Sequence, residues 1–264
     1  MNDISNTALV TLKCHIQDAK QDNPILNDRS SLKTYSYLNA NLDEKGKKIL
    51  NKRVKKSLIK YTVLRAKKYD DYVVQFLKEN PDAIIVNIGC GLDHRFERID
   101  NGKCIFFDLD LSDIMEIKKN IFPVTKRYKQ IGQSVFDFNW IDKIDKAPVL
   151  LMAEGVFMYC NEKNIKALFN ELHERVPGSE IVFEVFSSKW LTGWRKKIID
   201  FKLQQELKFG KNASFKFGIK DSDEIEGWSE YYKLIEDWSY FDEIKKNTIE
   251  YFRKLQWTIY YEIK

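Results

Sequence analysis

The sequence predicts an α/β fold of the doubly wound kind, and three observations lead there. Short continuous apolar runs, such as Ile84-Ile85-Val86-Asn87-Ile88 and Pro148-Val149-Leu150-Leu151-Met152, read as strands buried on both faces. Segments with helical apolar spacing, such as Asn161 to Arg175, alternate with them, and that alternation builds a mostly parallel sheet covered on both sides. The first run leads straight into Gly89-Cys90-Gly91 and the next ends acidic at Asp108 and Asp110, which is how this fold presents a ligand site at its strand ends.

Residues 1–80 read as helical: Leu58, Tyr61, Leu64, Tyr69, Val73 and Phe76 recur at three- to five-residue spacings up to the Asn80-Pro81 stop. They form a helical N-terminal cover. Strands follow at Ile84–Ile88, at Cys104–Phe107, before Val135, at Pro148–Met152 and at Ile181–Phe186. The stretch from Lys189 to Lys220, rich in Trp, Lys and Phe, reads as a helical insertion placed to cap a pocket, with Trp190, Trp194, Phe201 and Phe209 assigned to its core. A last pair of strands is expected around Lys233–Tyr240 and Trp257–Ile263. The organisation is therefore a cover over 1–80 and a sheet domain over 81–264 that carries the 189–220 insertion.

Composition excludes several classes. With 44% hydrophobic and 31% charged residues over 264 positions, wholesale disorder is ruled out. A formal charge of +5 permits an anionic partner without demanding one. The basic run Lys45, Lys47, Lys48, Lys52, Arg53, Lys55, Lys56 and Lys60 is interleaved with Ile49, Leu50, Val54, Leu58 and Ile59, so it reads as a solvated helix face, and no nucleic acid is expected. No stretch approaches the ~18 consecutive apolar residues of a membrane span, and the start MNDISNTALV lacks a leader pattern. A cytoplasmic protein without a membrane partner is expected. The four cysteines form no C-x-x-C pair and His15, His94 and His173 are scattered, which argues against structural zinc and a disulfide framework.

The chemistry concentrates at the strand ends. Glycines let the turn after the first strand take positive φ and let backbone N–H groups approach a ligand. Asp108 and Asp110, about 20 residues on, supply carboxylates for ribose hydroxyls. This pair fits either NAD or S-adenosylmethionine. The run continues Gly91-Leu92-Asp93-His94-Arg95 without the third glycine that a pyrophosphate turn needs, and Asp93 would repel phosphates while pairing with an ammonium or sulfonium. S-adenosylmethionine is the preferred cofactor. Val135-Phe136-Asp137-Phe138 offers an acid for an adenine amino group and an aromatic for its face, and Glu154 closes the apolar run VLLMA where ligands bind.

Taken together, the blocks LKCHIQDAKQDNPILNDRSS, RAKKYDD, VNIGCGLDHRFERID, FFDLDLSDIMEIKK, AEGVFMYCNE and SDEIEGWSEYYKLIEDWSYFD resemble the class I methyltransferases of the leucine carboxyl methyltransferase and polyketide O-methyltransferase type. The resemblance spans nearly the whole chain and implies a seven-stranded Rossmann-like sheet and S-adenosylmethionine-dependent O-methylation of a small-molecule hydroxyl or carboxyl. It also implies roles for individual residues. Arg65 pairs with the cofactor carboxylate, Gly89 and Gly91 lie against its methionine part, and Asp110, with Asp108 beside it, holds the ribose. Asp137 and Phe138 meet the adenine, Glu154 faces the methionyl end, and Tyr159 lies toward the acceptor. A carboxylate acceptor would be positioned by Arg29 or Lys33 in the N-terminal cover. His94 departs from the family pattern and is given no catalytic role, no dedicated base is assigned, and no metal is expected. An NAD-dependent oxidoreductase and a noncatalytic interaction protein remain the alternatives.

Overall fold

The computed structural model describes residues 3–144, 147–206, 214–243 and 250–264. Four helices come first: α1 (Asp3–Ala19), α2 (Ser30–Asn41), α3 (Glu44–Leu50) and α4 (Lys56–Glu79). The sheet region follows as β1 (Ile84–Ile88), α5 (Phe96–Ile99), β2 (Ile105–Asp110), α6 (Ser112–Lys119), β3 (Tyr128–Gly132), β4 (Val149–Ala153), α7 (Glu162–Arg175) and β5 (Ser179–Phe186). It ends with α8 (Gly193–Glu206), β6 (Tyr232–Trp238), α9 (Glu250–Arg253) and β7 (Gln256–Ile263).

The seven strands lie in the order β3-β2-β1-β4-β5-β7-β6. β1 to β5 pair in parallel, with Val86 opposite Phe107 on one side and Leu151 on the other. β7 runs antiparallel to both β5 and β6. Every residue of β1 and of β4 is buried, as continuous apolar runs between two helical layers require. The alternation of strand side chains divides the core. Ile85 and Leu150 face Tyr69, Val73 and Phe76 of α4, while Val86 and Leu151 join Ile165, Leu168 and Phe169 of α7 on the opposite face.

The expected α/β class, the helices ahead of the first strand and the final strand pair are all present. β2 runs three residues beyond the expected Phe107, which carries both Asp108 and Asp110 inside the strand. Among the described residues of the insertion, Gly193–Glu206 is the one long helix, and residues 214–218 are irregular before Ile219 bridges to Ser187. Trp194 and Phe201 are exposed on α8 rather than in a core, and Phe209 lies outside the described residues. Around the basic run, Leu50 and Ile59 are buried while Lys48, Lys52, Arg53, Lys55, Lys56 and Lys60 face solvent. No described helix is long and apolar enough to cross a membrane.

Candidate active site

Parallel strands leave their carboxyl ends along one edge of the sheet, and a cavity of about 630 Å³ opens there. Four strand-end segments supply its floor: Ile88–Leu92 after β1, Leu109–Leu111 at the end of β2, Gln133–Phe136 after β3, and Glu154–Cys160 with gaps after β4. α1 and α4 form its roof through Thr7, Ala8, Thr11 and His15 on one helix and Leu58, Tyr61, Thr62 and Arg65 on the other.

The glycine turn is sterically constrained. Gly89 has φ +62° and Gly91 φ +55°, the left-handed region that side chains with a Cβ avoid. A Cβ on Gly89 would fall 2.4 Å from Val156 Cγ2, whereas one on Gly91 would meet only Ala8 of α1 at 3.5 Å. The turn is tied to β2: the Gly91 N–H donates to Asp110 Oδ2 at 2.7 Å and the Leu111 N–H to Asp110 Oδ1 at 2.7 Å. Burial pushes the Asp110 carboxyl up against the pull of those two N–H groups. Each oxygen keeps a further lone pair for a ligand hydroxyl.

Beside the turn lies a chain of alternating buried charges. Glu184 of β5 accepts from Tyr61 and from Arg65 Nη1 at 3.0 Å, and Arg65 Nε donates to Glu154 at 2.8 Å. The other Glu154 oxygen accepts from Arg95 Nη2 at 2.6 Å, and Arg95 Nε reaches Asp70 at 2.6 Å. Arg98 then joins Asp70 to Asp93, with Asp28 3.3 Å from the same guanidinium. The last link is His15, whose Nδ1 lies 2.8 Å from Asp28. Burial opposes the charge on Glu154, but Arg65 and Arg95 outweigh it and hold the carboxyl below its ordinary value. Three guanidiniums face five carboxylates, so the network is formally anionic and suits a cationic ligand.

Away from the charges the walls become apolar. Met158, Phe186, Ile199 and Phe215 pack into one cluster, with Tyr159 and Leu255 against it, and all six line the cavity. Burial, reinforced by Glu184, raises the Tyr159 phenol, so it stays protonated at neutral pH.

Arg65, Gly89, Gly91, Asp110, Glu154 and Tyr159 are therefore brought together as expected. Three expectations are corrected. Asp108 is fully buried one pleat deeper in β2, where Lys118 at 2.7 Å, Tyr128 at 2.6 Å and Asn87 at 3.0 Å occupy its oxygens, so it supports the strand instead of lining the cavity. Asp137 is exposed and Phe138 packs against the sheet core, leaving Phe136 as the aromatic on the cavity wall. Arg29 precedes α2 and borders a separate cavity with Asp28 and Glu97, while Lys33 is exposed and pairs with Glu97. Asp93 does line the cavity, but its oxygens are engaged by Arg98. His94 lies outside the wall, stacked on Phe122 with ring centroids 3.8 Å apart, and burial with Lys118 nearby lowers it to about 4.

Residues to which the sequence reading gave no site role also belong here. Arg95 is buried behind Glu154, and its partner Asp70, an acid on the apolar face of α4, was the readable signal. On α1, Thr7, Thr11 and His15 fall at i, i+4 and i+8, one helix face, and all three line the cavity.

A family model described as leucine carboxyl methyltransferase matches residues 13–173. The tetracenomycin polyketide synthesis O-methyltransferase TcmP of Streptomyces glaucescens is 26% identical over 241 residues, covering 90% of this chain and 84% of that protein. The S-adenosyl-L-methionine-dependent methyltransferase dpfgK of Gibberella zeae is 25% identical over 190 residues, 68% of this chain and 63% of its own. Among solved structures, a DUF574 family protein from Streptomyces avermitilis superposes with a TM-score of 0.59 at 11% identity, covering 97% of each chain. Magnesium protoporphyrin IX methyltransferase from Synechocystis superposes with a TM-score of 0.51 at 9% identity, covering 89% of this chain and 97% of that one, and shares the fold.

Proposed function

The chain belongs to the leucine carboxyl methyltransferase family and is an S-adenosylmethionine-dependent methyltransferase, and from that premise we propose that it methylates an oxygen of an apolar small molecule. The observation that carries the acceptor class is the cluster of Met158, Phe186, Ile199 and Phe215 on the cavity wall, capped by the protonated phenol of Tyr159. The family membership leaves the oxidoreductase alternative without support.

The residues present fit the cofactor. The turn at Gly89 and Gly91 carries no Cβ where a ligand approaches, Asp110 has lone pairs for ribose hydroxyls, and Arg65 keeps Nη2 for a carboxylate beyond its bonds to Glu154 and Glu184. When bound, S-adenosylmethionine supplies a methyl group on a sulfonium, and displacement leaves a neutral thioether. The chain's own work is to align the acceptor oxygen and keep water out. Phe136 offers a face for the adenine, while Asp137 and Phe138, proposed from the sequence, do not line the cavity. Tyr159, beside Met158 and Phe215 on the wall, borders the space for the acceptor. A hydroxyl acceptor would pass its proton to bulk solvent as the O–C bond forms and the S–C bond breaks, and a carboxylate would arrive already ionised.

We assign residues 1–80 as a cover and 189–220 as a lid over this site. Thr7, Ala8 and His15 of the cover and Ile199 and Phe215 of the insertion on the cavity wall support the assignment. Removing residues 1–40 should abolish acceptor turnover.

The direct test is a thermal-shift titration with S-adenosylhomocysteine and, separately, NAD on wild type and Asp110→Ala. Ligand at ~100 times its Kd adds about 2.7 kcal/mol, roughly 5–10 °C for a chain of this size. A shift with S-adenosylhomocysteine alone, weakened in the variant, is expected. Phenols, alcohols and carboxylic acids with apolar bodies are then screened by mass spectrometry for added methyl. A folded protein that shifts with neither ligand would refute the reading.

A further inference from the structure

His15 is one of the few described buried side chains with an unused polar atom. It is 2% exposed, lines the cavity from α1, and its Nε2 has no hydrogen-bond partner. Thr7 Oγ1, two turns earlier on the same helix face, is likewise buried on the cavity wall without a partner. Leaving such atoms unmade is costly unless a ligand completes them. Both lie on the wall that faces the glycine turn, where Gly91 approaches Ala8.

The state of His15 follows from its neighbours. His15 Nδ1 lies 2.8 Å from Asp28 Oδ2, and in the tautomer whose Nδ1 hydrogen goes to that carboxylate Nε2 is left as a lone pair. Arg98 pairs with both nearby carboxylates, 3.3 Å from Asp28 and 2.7 Å from Asp93. His15, Asp28 and Asp93 lie close enough together to hold a metal ion, but both carboxylates among them are paired with Arg98. From α4, Arg65 faces the same cavity, already committed to Glu154 and Glu184. An anionic network around a lone-pair nitrogen calls for a cationic donor.

We infer that His15 is a cofactor-binding residue whose Nε2 accepts a hydrogen bond from the α-ammonium of the methionyl group, with Asp28 fixing its tautomer. The inference rests on the reading of the cavity as an S-adenosylmethionine site. Asp28 is a positioning residue in this arrangement.

The test is calorimetric titration of wild type, His15→Gln and His15→Lys with S-adenosylhomocysteine and with its analogue lacking the α-amino group. A hydrogen bond to a charged group corresponds to about a 10- to 100-fold loss when removed. His15→Lys, which sets one cation against another, should lose at least that factor for S-adenosylhomocysteine and bind the deaminated analogue like wild type. His15→Gln, whose amide can turn its oxygen to the ammonium, should keep most of the affinity and serves as the control for folding. Equal losses for both ligands, or a His15→Lys variant that binds S-adenosylhomocysteine as well as wild type, would overturn the inference, since His15 would then be structural or would face the carboxylate. Wild type that binds neither ligand overturns the cofactor reading itself, an outcome distinct from lost discrimination between the two.

Discussion

Replacing Gly89 by alanine tests the geometry of the turn without a ligand. Two costs are separable. Holding an L-residue at φ +62° costs ~1–2 kcal/mol, and a Cβ placed 2.4 Å from Val156 Cγ2 must displace that side chain, an overpacking that typically costs ~1–3 kcal/mol. Gly89→Ala should therefore destabilise by roughly 2–5 kcal/mol. Gly91→Ala at φ +55° meets only Ala8 Cβ at ordinary contact distance, so it should cost only the first ~1–2 kcal/mol. Val156→Ala in the Gly89→Ala background removes the collision, and a double-mutant cycle should return a favourable coupling of about 1–3 kcal/mol. Urea unfolding, with the slope m unchanged across variants, measures wild type, the three single variants and the double variant. Equal costs at Gly89 and Gly91 together with no coupling to Val156 would refute the argument.

The two acids of β2 should separate cleanly. Asp108→Asn breaks a fully buried pair with Lys118 and should cost ~3–5 kcal/mol by urea unfolding, while Asp110→Ala should chiefly weaken S-adenosylhomocysteine binding; the reverse pattern would return Asp108 to the site. The His94 imidazole is neutral in the fold down to about pH 4 but takes up a proton near 6.5 once unfolded, so its contribution is present above 6.5 and lost as pH falls toward 4. That loss is about 3 kcal/mol, and His94→Phe should flatten the stability profile across this window relative to wild type. Phe136→Ala should weaken S-adenosylhomocysteine by about 10-fold, the size of a lost aromatic contact with its burial, whereas Arg29→Ala should leave both its binding and acceptor turnover unchanged.

Patterning made the sheet legible because strands buried on both faces leave a signature that needs no partner to be read: β1, β4 and β5 are nearly continuous apolar runs. The glycine turn, Asp110, Glu154, Arg65 and Tyr159 were legible as blocks in order along the chain. What stayed hidden depends on depth and contact. Asp108 and Asp110 are equivalent in a pattern of period two, and only the position of the sheet edge tells which one is covered. Phe136 and Phe138 are likewise two residues apart, but a helical turn begins at Phe138 and it is Phe136 that lines the cavity. The charge chain from Glu184 to His15 joins residues up to 169 positions apart, which no local reading can assemble.

β7 follows β6 along the chain yet lies between β6 and β5. During synthesis β6 therefore leaves the ribosome before the strand it pairs with has been made, and β5 waits with an open edge for the same strand. In that interval the nascent chain carries two unsatisfied ladders, with Val185 and Phe183 on one and Leu234 and Trp238 on the other. A single late event, the threading of β7 between them, closes both at once. Agents that shield strand edges should thus matter most for this chain just before β7 emerges, and a circular permutant that starts with β7 would shift that window to the beginning of translation.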